Sequence, residues 1–179
     1  MEILIRFLLL FSLFFHLSHA EDTVLLNTHI RMIPKIMALD AQVLSHNSSG
    51  KAILAVVYDD NHKTSAVQIA EEMNSYHNEK VGPLPFIAVA LSIDELLTHR
   101  DIAFAYTTPM SSTSITHLAK WGIMYNVPTF SYDPSDLEYG ILGSIVIERN
   151  TIIYISKNAL KTGKFRFNNA LFQIVRLVE

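Results

Sequence analysis

Polar side chains that could bind a ligand or a metal follow the apolar run Ala52–Tyr58 (AILAVVY). They are Asp59, Asp60, Asn61 and His62. Carboxylate oxygens and an imidazole nitrogen can ligate divalent cations, so a pairing of Asp59 with His62 is one candidate for a weak metal site. A solvated turn at the end of a strand explains the same residues without any ligand. We favour the turn and predict no metal and no other cofactor.

The segment ILAVVYDDN is also similar to the first strand of phosphoacceptor receiver domains, where an acidic pair holds a magnesium ion. A receiver needs a phosphorylatable aspartate at the end of its third strand. The third apolar run of this chain, AFAYTTP, has none, and we find no candidate for the lysine that should end the fifth strand. We therefore do not assign the chain to that class.

Other polar side chains follow two further predicted strands. Thr107 and Thr108 come after the run Ile102–Tyr106, and Tyr132 ends the run Val127–Tyr132. Ligands of open α/β sheets bind beyond the carboxyl ends of the strands, which lie at one edge of the sheet. The sequence therefore predicts a ligand cleft there, and its candidate residues are Asp59, Asp60, His62, Thr107, Thr108 and Tyr132.

Catalytic motifs are scarce. The chain has no cysteine, which excludes disulfides, thiol catalysis and cysteine-based metal sites. It also lacks a His-Glu-x-x-His motif and a Gly-x-Ser-x-Gly motif, and its six glycines do not cluster into a phosphate loop. The net charge of −3 gives no electrostatic support to nucleic-acid binding. We expect a binding or regulatory protein, not an enzyme.

Two features between residues 111 and 125 could bind a ligand or a partner, and each has a simpler structural interpretation. Ser111 to Ser114 open a predicted helix, where free backbone N–H groups attract anions, but simple N-capping is favoured. Trp121 and Tyr125 lie four residues apart on that helix. They could form a partner-binding stripe, although the core side of the helix is the favoured interpretation.

The N-terminal 20 residues have the layout of a secretory signal. Phe7–Leu17 is almost wholly apolar, and Ser18-His19-Ala20 places small residues three and one before Glu21. The alternative is an uncleaved membrane anchor, but the apolar run is shorter than the ~20 residues that span a bilayer. We expect cleavage after Ala20, which removes 20 of the 179 residues and leaves 159, and we expect export to the periplasm.

Strands and helices alternate along the rest of the chain, which predicts an α/β domain with three layers and a mostly parallel sheet flanked by helices. The first helix should cover Val24–Leu44, with a kink or break near Met32 caused by Pro34. Continuous apolar runs such as Ala52–Tyr58 are typical of strands buried on both faces. We find no linker or repeat, so residues 21–179 are predicted to form a single domain.

The C-terminal third is predicted to add an antiparallel hairpin and a closing helix. Ser144–Ile147 and Thr151–Ile155 flank Arg149-Asn150, where a tight turn fits. A helical turn follows and stops at Gly163. Apolar residues then recur three and four apart, which predicts an amphipathic helix with Leu171, Phe172, Val175 and Val178 on one face.

The region after residue 20 resembles the YfiR/HmsC-like family of small periplasmic proteins. The resemblance is carried by soft motifs: THIRMIPKIM, ILAVVYDDN, FAYTTPMSSTSI, VPTFSYDPSDLEYGILGSIVIERNTIIYI and NALKTGKFRFNNALFQIVRLV. Four features depart from the family pattern. The cysteine pairs of many members are absent, and so is the usual aromatic-Pro ending of helix one after Met37. The usual double glycine is spread to Gly140 and Gly143, and Ile155 stands where an Asn is expected.

The resemblance implies regulation without catalysis. Family members of known role hold an inner-membrane diguanylate cyclase inactive by contacting its periplasmic domain, which lowers cyclic di-GMP and restrains biofilm formation. On this interpretation the partner is such a cyclase or another membrane sensor, and the partner surface includes Phe165, Phe167 and Phe172. The alternative is a small periplasmic solute-binding protein that uses the predicted cleft. Homodimerisation is left open by the sequence.

Overall fold

The computed structural model describes residues 22–46, 50–59 and 62–179. They build one eight-stranded sheet in the order β2-β3-β1-β4-β5-β6-β7-β8. The strands are β1 (Ala52–Tyr58), β2 (Lys80–Val81), β3 (Leu84–Ser92), β4 (Phe104–Thr107), β5 (Thr129–Ser131), β6 (Gly143–Ile147), β7 (Thr151–Ser156) and β8 (Val175–Val178). The helices are α1 (residues 22–37), α2 (Lys63–His77), α3 (Ile93–Thr98), α4 (Ser112–Tyr125), α5 (Lys157–Thr162) and α6 (Asn169–Phe172), with a 3-10 helix at Pro134–Tyr139.

The predicted α/β fold with a mostly parallel sheet is confirmed. Strands β3, β1, β4, β5 and β6 run parallel to one another, and β2 pairs with β3 in antiparallel orientation. β6 and β7 form the predicted antiparallel pair. The apolar run of β1 forms an interior strand of the sheet, and both of its faces are covered. Leu54 and Val56 pack into a core with α1 and α2, while Ala55 and Val57 pack into a second core with α3 and α4.

Helix α1 differs from its prediction. It was expected to break near Met32 and to reach Leu44. Instead it runs past Pro34 and ends at residue 37, followed by turns. Ile33 and Met37 are fully buried on the core side of the helix. Burial of this face holds the segment helical across the proline, whereas the polar stretch beyond residue 40 has little apolar surface to bury.

The end of the chain also differs. The closing helix covers only Asn169–Phe172, and the residues predicted to continue it form strand β8. β8 pairs with β7 in parallel, with Ile153 opposite Val175 and Ile155 opposite Leu177. The unpaired edge of β7 offers hydrogen bonds to a second strand, and this outweighs the helical spacing of the side chains.

The C-terminal segment is bonded to the end of α1. The Ala41 N–H donates to the Arg166 carbonyl at 2.7 Å, and the Asn168 N–H donates to the Leu39 carbonyl at 2.8 Å. Asp40 and Phe167 form an isolated antiparallel bridge between these two bonds. One end of α1 is therefore fixed by the last third of the chain.

Within the described residues, no helix is both long enough and apolar enough to cross a membrane. The predicted signal segment, residues 1–20, lies outside the part of the chain that the structure describes.

Candidate functional site

A cleft of about 620 Å³ lies between α1 and α2, above the carboxyl ends of β1, β4 and β5. This is the edge of the sheet at which the sequence places a ligand. Most of its described lining is polar or aromatic. The lining residues are Asp22, Thr23, Leu26, Asn27, His62, Ser65, Gln68, Ile69, Glu72, Tyr106, Thr108, Pro109 and Tyr132.

Tyr106 lies in the wall of the cleft and points from β4 toward the α1 and α2 side of the sheet. Its side chain is fully buried, and its hydroxyl has no hydrogen-bond partner. Burial raises the pKa of Tyr106 well above its usual value of 10, and Tyr132 nearby adds to this. A buried hydroxyl with neither a donor nor an acceptor is costly, so this group requires an explanation.

His29 of α1 packs beside both tyrosines. Its ring centroid lies 5.5 Å from that of Tyr106 and 5.3 Å from that of Tyr132. Nε2 is 2.9 Å from the Ile145 carbonyl oxygen, which can only accept, so Nε2 carries the hydrogen. Burial lowers the pKa of His29 to about 4, although the bond to Ile145 opposes the shift. The neutral ring leaves Nδ1 as a buried acceptor without a partner.

Tyr132 connects β5 to the start of α1, since its hydroxyl is hydrogen-bonded to the Asp22 carboxylate. Burial raises the pKa of Tyr132, and the charge of Asp22 raises it further. On the α2 side, the Gln68 amide donates to the Glu72 carboxylate at 2.8 Å. Each carboxylate of the cleft is therefore bonded to a neutral group.

Three of the six predicted cleft residues line this cleft: His62, Thr108 and Tyr132. The Thr108 hydroxyl donates to the Val57 carbonyl at 3.3 Å, which fixes the turn after β4. Thr107 does not line the cleft. It is buried, and its hydroxyl donates to the Thr108 carbonyl at 2.8 Å.

Asp59 also does not line the cleft, and Asp60 lies outside the described residues. One oxygen of Asp59 accepts from His62 Nδ1 at 2.9 Å and the other from the Ser111 N–H at 3.1 Å. The predicted pairing of Asp59 with His62 thus exists, and it joins the turn after β1 to the start of α4. Within the described ranges, no group of three His, Cys, Asp or Glu side chains is placed to hold a metal ion.

Ser111 acts as the N-cap of α4, because its hydroxyl accepts from the Ser114 N–H at 3.2 Å. Trp121 is buried in the core formed with α3 and α4, and Tyr125 packs against that core. The N-cap at Ser111 and the core packing of Trp121 and Tyr125, which the sequence analysis favoured, are thus the roles observed.

The three phenylalanines assigned to a partner surface differ in exposure. Phe165 and Phe167 are partly buried and pack against the core under α1 and α2. Phe172 is 43% exposed on α6. Nearby, Ile174 is 58% exposed and Leu177 of β8 is 43% exposed. The exposed large apolar side chains of the last ten residues are Phe172, Ile174 and Leu177, and we call these three the edge patch.

The comparisons with solved structures show an α/β fold. The chain is similar to a conserved domain protein from Vibrio cholerae, with a TM-score of 0.57, 10% identity and coverage of 86% of this chain and 60% of that one. It is also similar to a substrate-binding protein with adhesive properties from Clostridium difficile in its ligand-free, open form. That match has a TM-score of 0.51, 13% identity and coverage of 77% and 58%. The chain thus spans about three fifths of the length of these proteins. No protein-family model matches the sequence, and no curated protein matches it either.

Sequence reasoning missed the whole α1 and α2 sides of the cleft. Asp22 precedes the predicted first helix and Asn27 lies within it, and neither they nor Glu72 were among the predicted cleft residues. Tyr106 was treated as a strand residue. A signal for it was present, since Phe104 and Tyr106 alternate on one face and Tyr106 is the last large residue before the carboxyl end of β4. A tyrosine there carries a polar group to the edge where ligands bind.

Proposed function

We propose that the protein is a non-catalytic, exported binding protein that takes up a small molecule in the cleft between α1 and α2. The observation that carries the proposal is the buried, unpartnered hydroxyl of Tyr106 in the cleft wall. The hydroxyl is covered by neighbouring side chains in this structure, so a ligand would bond to it only where those side chains move aside. Such a bond would recover the free energy lost when the hydroxyl left water.

The size and composition of the cleft support a small ligand. Its volume of about 620 Å³ falls within the range of roughly 300–1,000 Å³ that is usual for small-molecule sites. The apolar side chains of Leu26, Ile69 and Pro109 stand beside polar groups that can fix the orientation of a ligand. A substrate-binding protein shares the fold, and this likeness agrees with the proposal without identifying a ligand.

The test is a screen of small molecules by thermal shift, followed by calorimetric titration of any molecule that stabilises the protein. We expect a saturable ligand whose affinity falls at least tenfold in Tyr106→Phe. Tyr139→Phe is the matched control, because Tyr139 is exposed on the 3-10 helix and does not line the cleft. A ligand that binds Tyr106→Phe and the unmodified protein equally would place its site elsewhere and contradict the proposal.

A second function, regulation of a membrane signalling protein, is favoured by the edge patch. β8 is the last strand of the sheet and carries exposed Leu177 beside exposed Ile174 and Phe172. Exposed apolar residues at a free sheet edge suit a protein partner. The partner expected from the family resemblance is an inner-membrane diguanylate cyclase or sensor with a periplasmic domain.

This function is tested by capturing the tagged protein from solubilised native membranes and identifying what co-purifies. We expect a membrane protein with a cytoplasmic cyclase or kinase output, lost in Ile174→Lys. Val67→Lys is the control, because Val67 is also exposed but lies on α2. Equal capture by both variants would exclude the edge patch as the contact surface.

A further inference from the structure

We infer that the cleft selects a ligand that carries a positively charged amine. The inference rests on the proposed small-molecule function and adds the chemical class of the ligand. Three features of the cleft carry it: its charge, the hydrogen-bond acceptors close to Tyr106, and the position of Arg31 in a separate groove.

The charge of the cleft is negative. Asp22 projects from the start of α1 and Glu72 from α2, and both line the cleft. None of the described lining residues is a lysine or an arginine, and within the described part of the chain neither carboxylate forms an ion pair. A cationic group entering the cleft would therefore meet two carboxylates that form no ion pair within the described chain.

Hydrogen-bond acceptors also lie close to Tyr106. The Thr108 hydroxyl uses its hydrogen on Val57, so its oxygen is left to accept. His29 Nδ1 is a buried acceptor next to the tyrosine rings. The Tyr132 hydroxyl is already bonded to Asp22, and the buried Tyr106 hydroxyl has no partner. An N–H group of a ligand could donate to the hydroxyl oxygen of Tyr106 or of Thr108.

Arg31, on α1, is held away from the cleft. Its guanidinium carbon lies 5.0 Å from the centroid of the Tyr76 ring, in a separate groove that Glu72 also borders. Stacking on Tyr76 occupies the arginine at that groove. The acidic cleft thus keeps its charge for a ligand.

The inference is tested with three series of probes of equal length. They are unbranched α,ω-diamines, diols and dicarboxylates with four to eight carbons, titrated calorimetrically at pH 7. We expect saturable binding of diamines, binding of diols at least tenfold weaker, and no binding of dicarboxylates. Added salt should weaken diamine binding, because the attraction is electrostatic.

Two variants separate charge from shape. Asp22→Asn and Glu72→Gln keep the size of each side chain, and each is expected to weaken diamine binding about tenfold. Glu138→Gln, exposed on the 3-10 helix outside the cleft, is the control and should bind as the unmodified protein does. Both cleft variants remove only a charge near the surface, and a thermal melt of each confirms that it is folded.

Failure of this inference differs from failure of the proposed function. If dicarboxylates or diols bind as tightly as diamines, or if no diamine binds, the inference that the ligand carries an amine is wrong. The small-molecule function then still stands provided that some ligand from the broader screen loses affinity in Tyr106→Phe. Unchanged diamine affinity in both Asp22→Asn and Glu72→Gln would also overturn the inference.

Discussion

The two ends of α1 lie in regions of opposite character. Its first turns, residues 22–27, line an open acidic cleft in which a tyrosine hydroxyl has no partner. The chain just after its last turn, residues 39–41, is bonded to the C-terminal segment by two short backbone hydrogen bonds. The first region leaves polar groups unsatisfied, and the second satisfies them within the protein. The helix that forms one wall of the cleft is therefore held in place by contacts far from the cleft itself.

The largest effect on the free energy of unfolding is expected from Leu171→Ala. Leu171 of α6 is fully buried in the core shared with α1. Loss of a buried leucine and the resulting cavity should lower the free energy of unfolding by about 2–5 kcal/mol. Phe172→Ala is the control, since Phe172 is 43% exposed and its truncation should lower the free energy of unfolding much less. Urea denaturation measures both.

Ligand binding by the folded fraction of Leu171→Ala tests whether the regions are separable. We expect the affinity of a cleft ligand to stay within about threefold, because Leu171 does not line the cleft. Equal destabilisation by Leu171→Ala and Phe172→Ala would instead show that α6 does not pack as the structure has it.

A second large effect concerns Asp40, at the bonded end of α1. Burial raises the pKa of Asp40 to about 6, although the Gln42 N–H opposes the shift. Because the folded pKa lies above the unfolded one, this group supplies stability below pH 4 that is lost as the pH rises through 6. The loss is about 3 kcal/mol. Asp40→Asn should therefore be more stable than the unmodified protein at pH 7 and equally stable below pH 4.

The pH dependence that His29 of α1 adds to the stability has the opposite sign to that of Asp40. Its folded pKa of about 4 lies below the ordinary 6.5, so its contribution is present above pH 6.5 and is lost as the pH falls through 4. The two groups oppose each other between pH 4 and 6.5. In Asp40→Asn the His29 effect should appear as stability that rises with pH, measured by urea midpoints at half-unit steps. A difference between the two proteins that is constant with pH would contradict the assignment to Asp40 ionisation.

Much of the central fold was predictable because short apolar runs report burial on both faces. Ala52–Tyr58 and the hairpin of β6 and β7 appear where the sequence places them. The last strand was not predicted, because the apolar residues between Leu171 and Val178 have helical spacing. Val175–Val178 forms a strand because it pairs with β7, and this tertiary contact is not visible in the local sequence pattern.

The site was predictable only in part, for a related reason. Topology identifies the sheet edge, and it found His62, Thr108 and Tyr132. It does not say which way adjacent residues face, so Thr107 was included although its side chain is buried elsewhere. Nor does it say how α1 crosses the sheet, so Asp22 was missed.

A smaller effect is expected at the bonded end from Asn168→Ala. The Asn168 side chain caps α6 by accepting from the Ala170 N–H at 3.0 Å, and its backbone N–H donates to Leu39. Loss of the cap should cost about 1 kcal/mol. Ser92→Ala, which removes the cap of α3, is the matched control of similar cost. Hydrogen exchange of the Ala41 amide should accelerate in Asn168→Ala more than in Ser92→Ala, and equal acceleration would contradict the local coupling to α1.

The smallest effect on stability, and the sharpest test of the comparison, is expected from Tyr106→Phe. Removing a buried hydroxyl that has no partner leaves the packing of the ring intact, so the free energy of unfolding should stay constant or rise by up to about 1 kcal/mol. The same change should weaken a cleft ligand at least tenfold. Stability that is unchanged or improved together with weaker binding is the signature of a group kept for a ligand. A clear loss of stability, seen in urea denaturation, would mean that the hydroxyl is satisfied within the protein and that the two ends of α1 do not differ as argued.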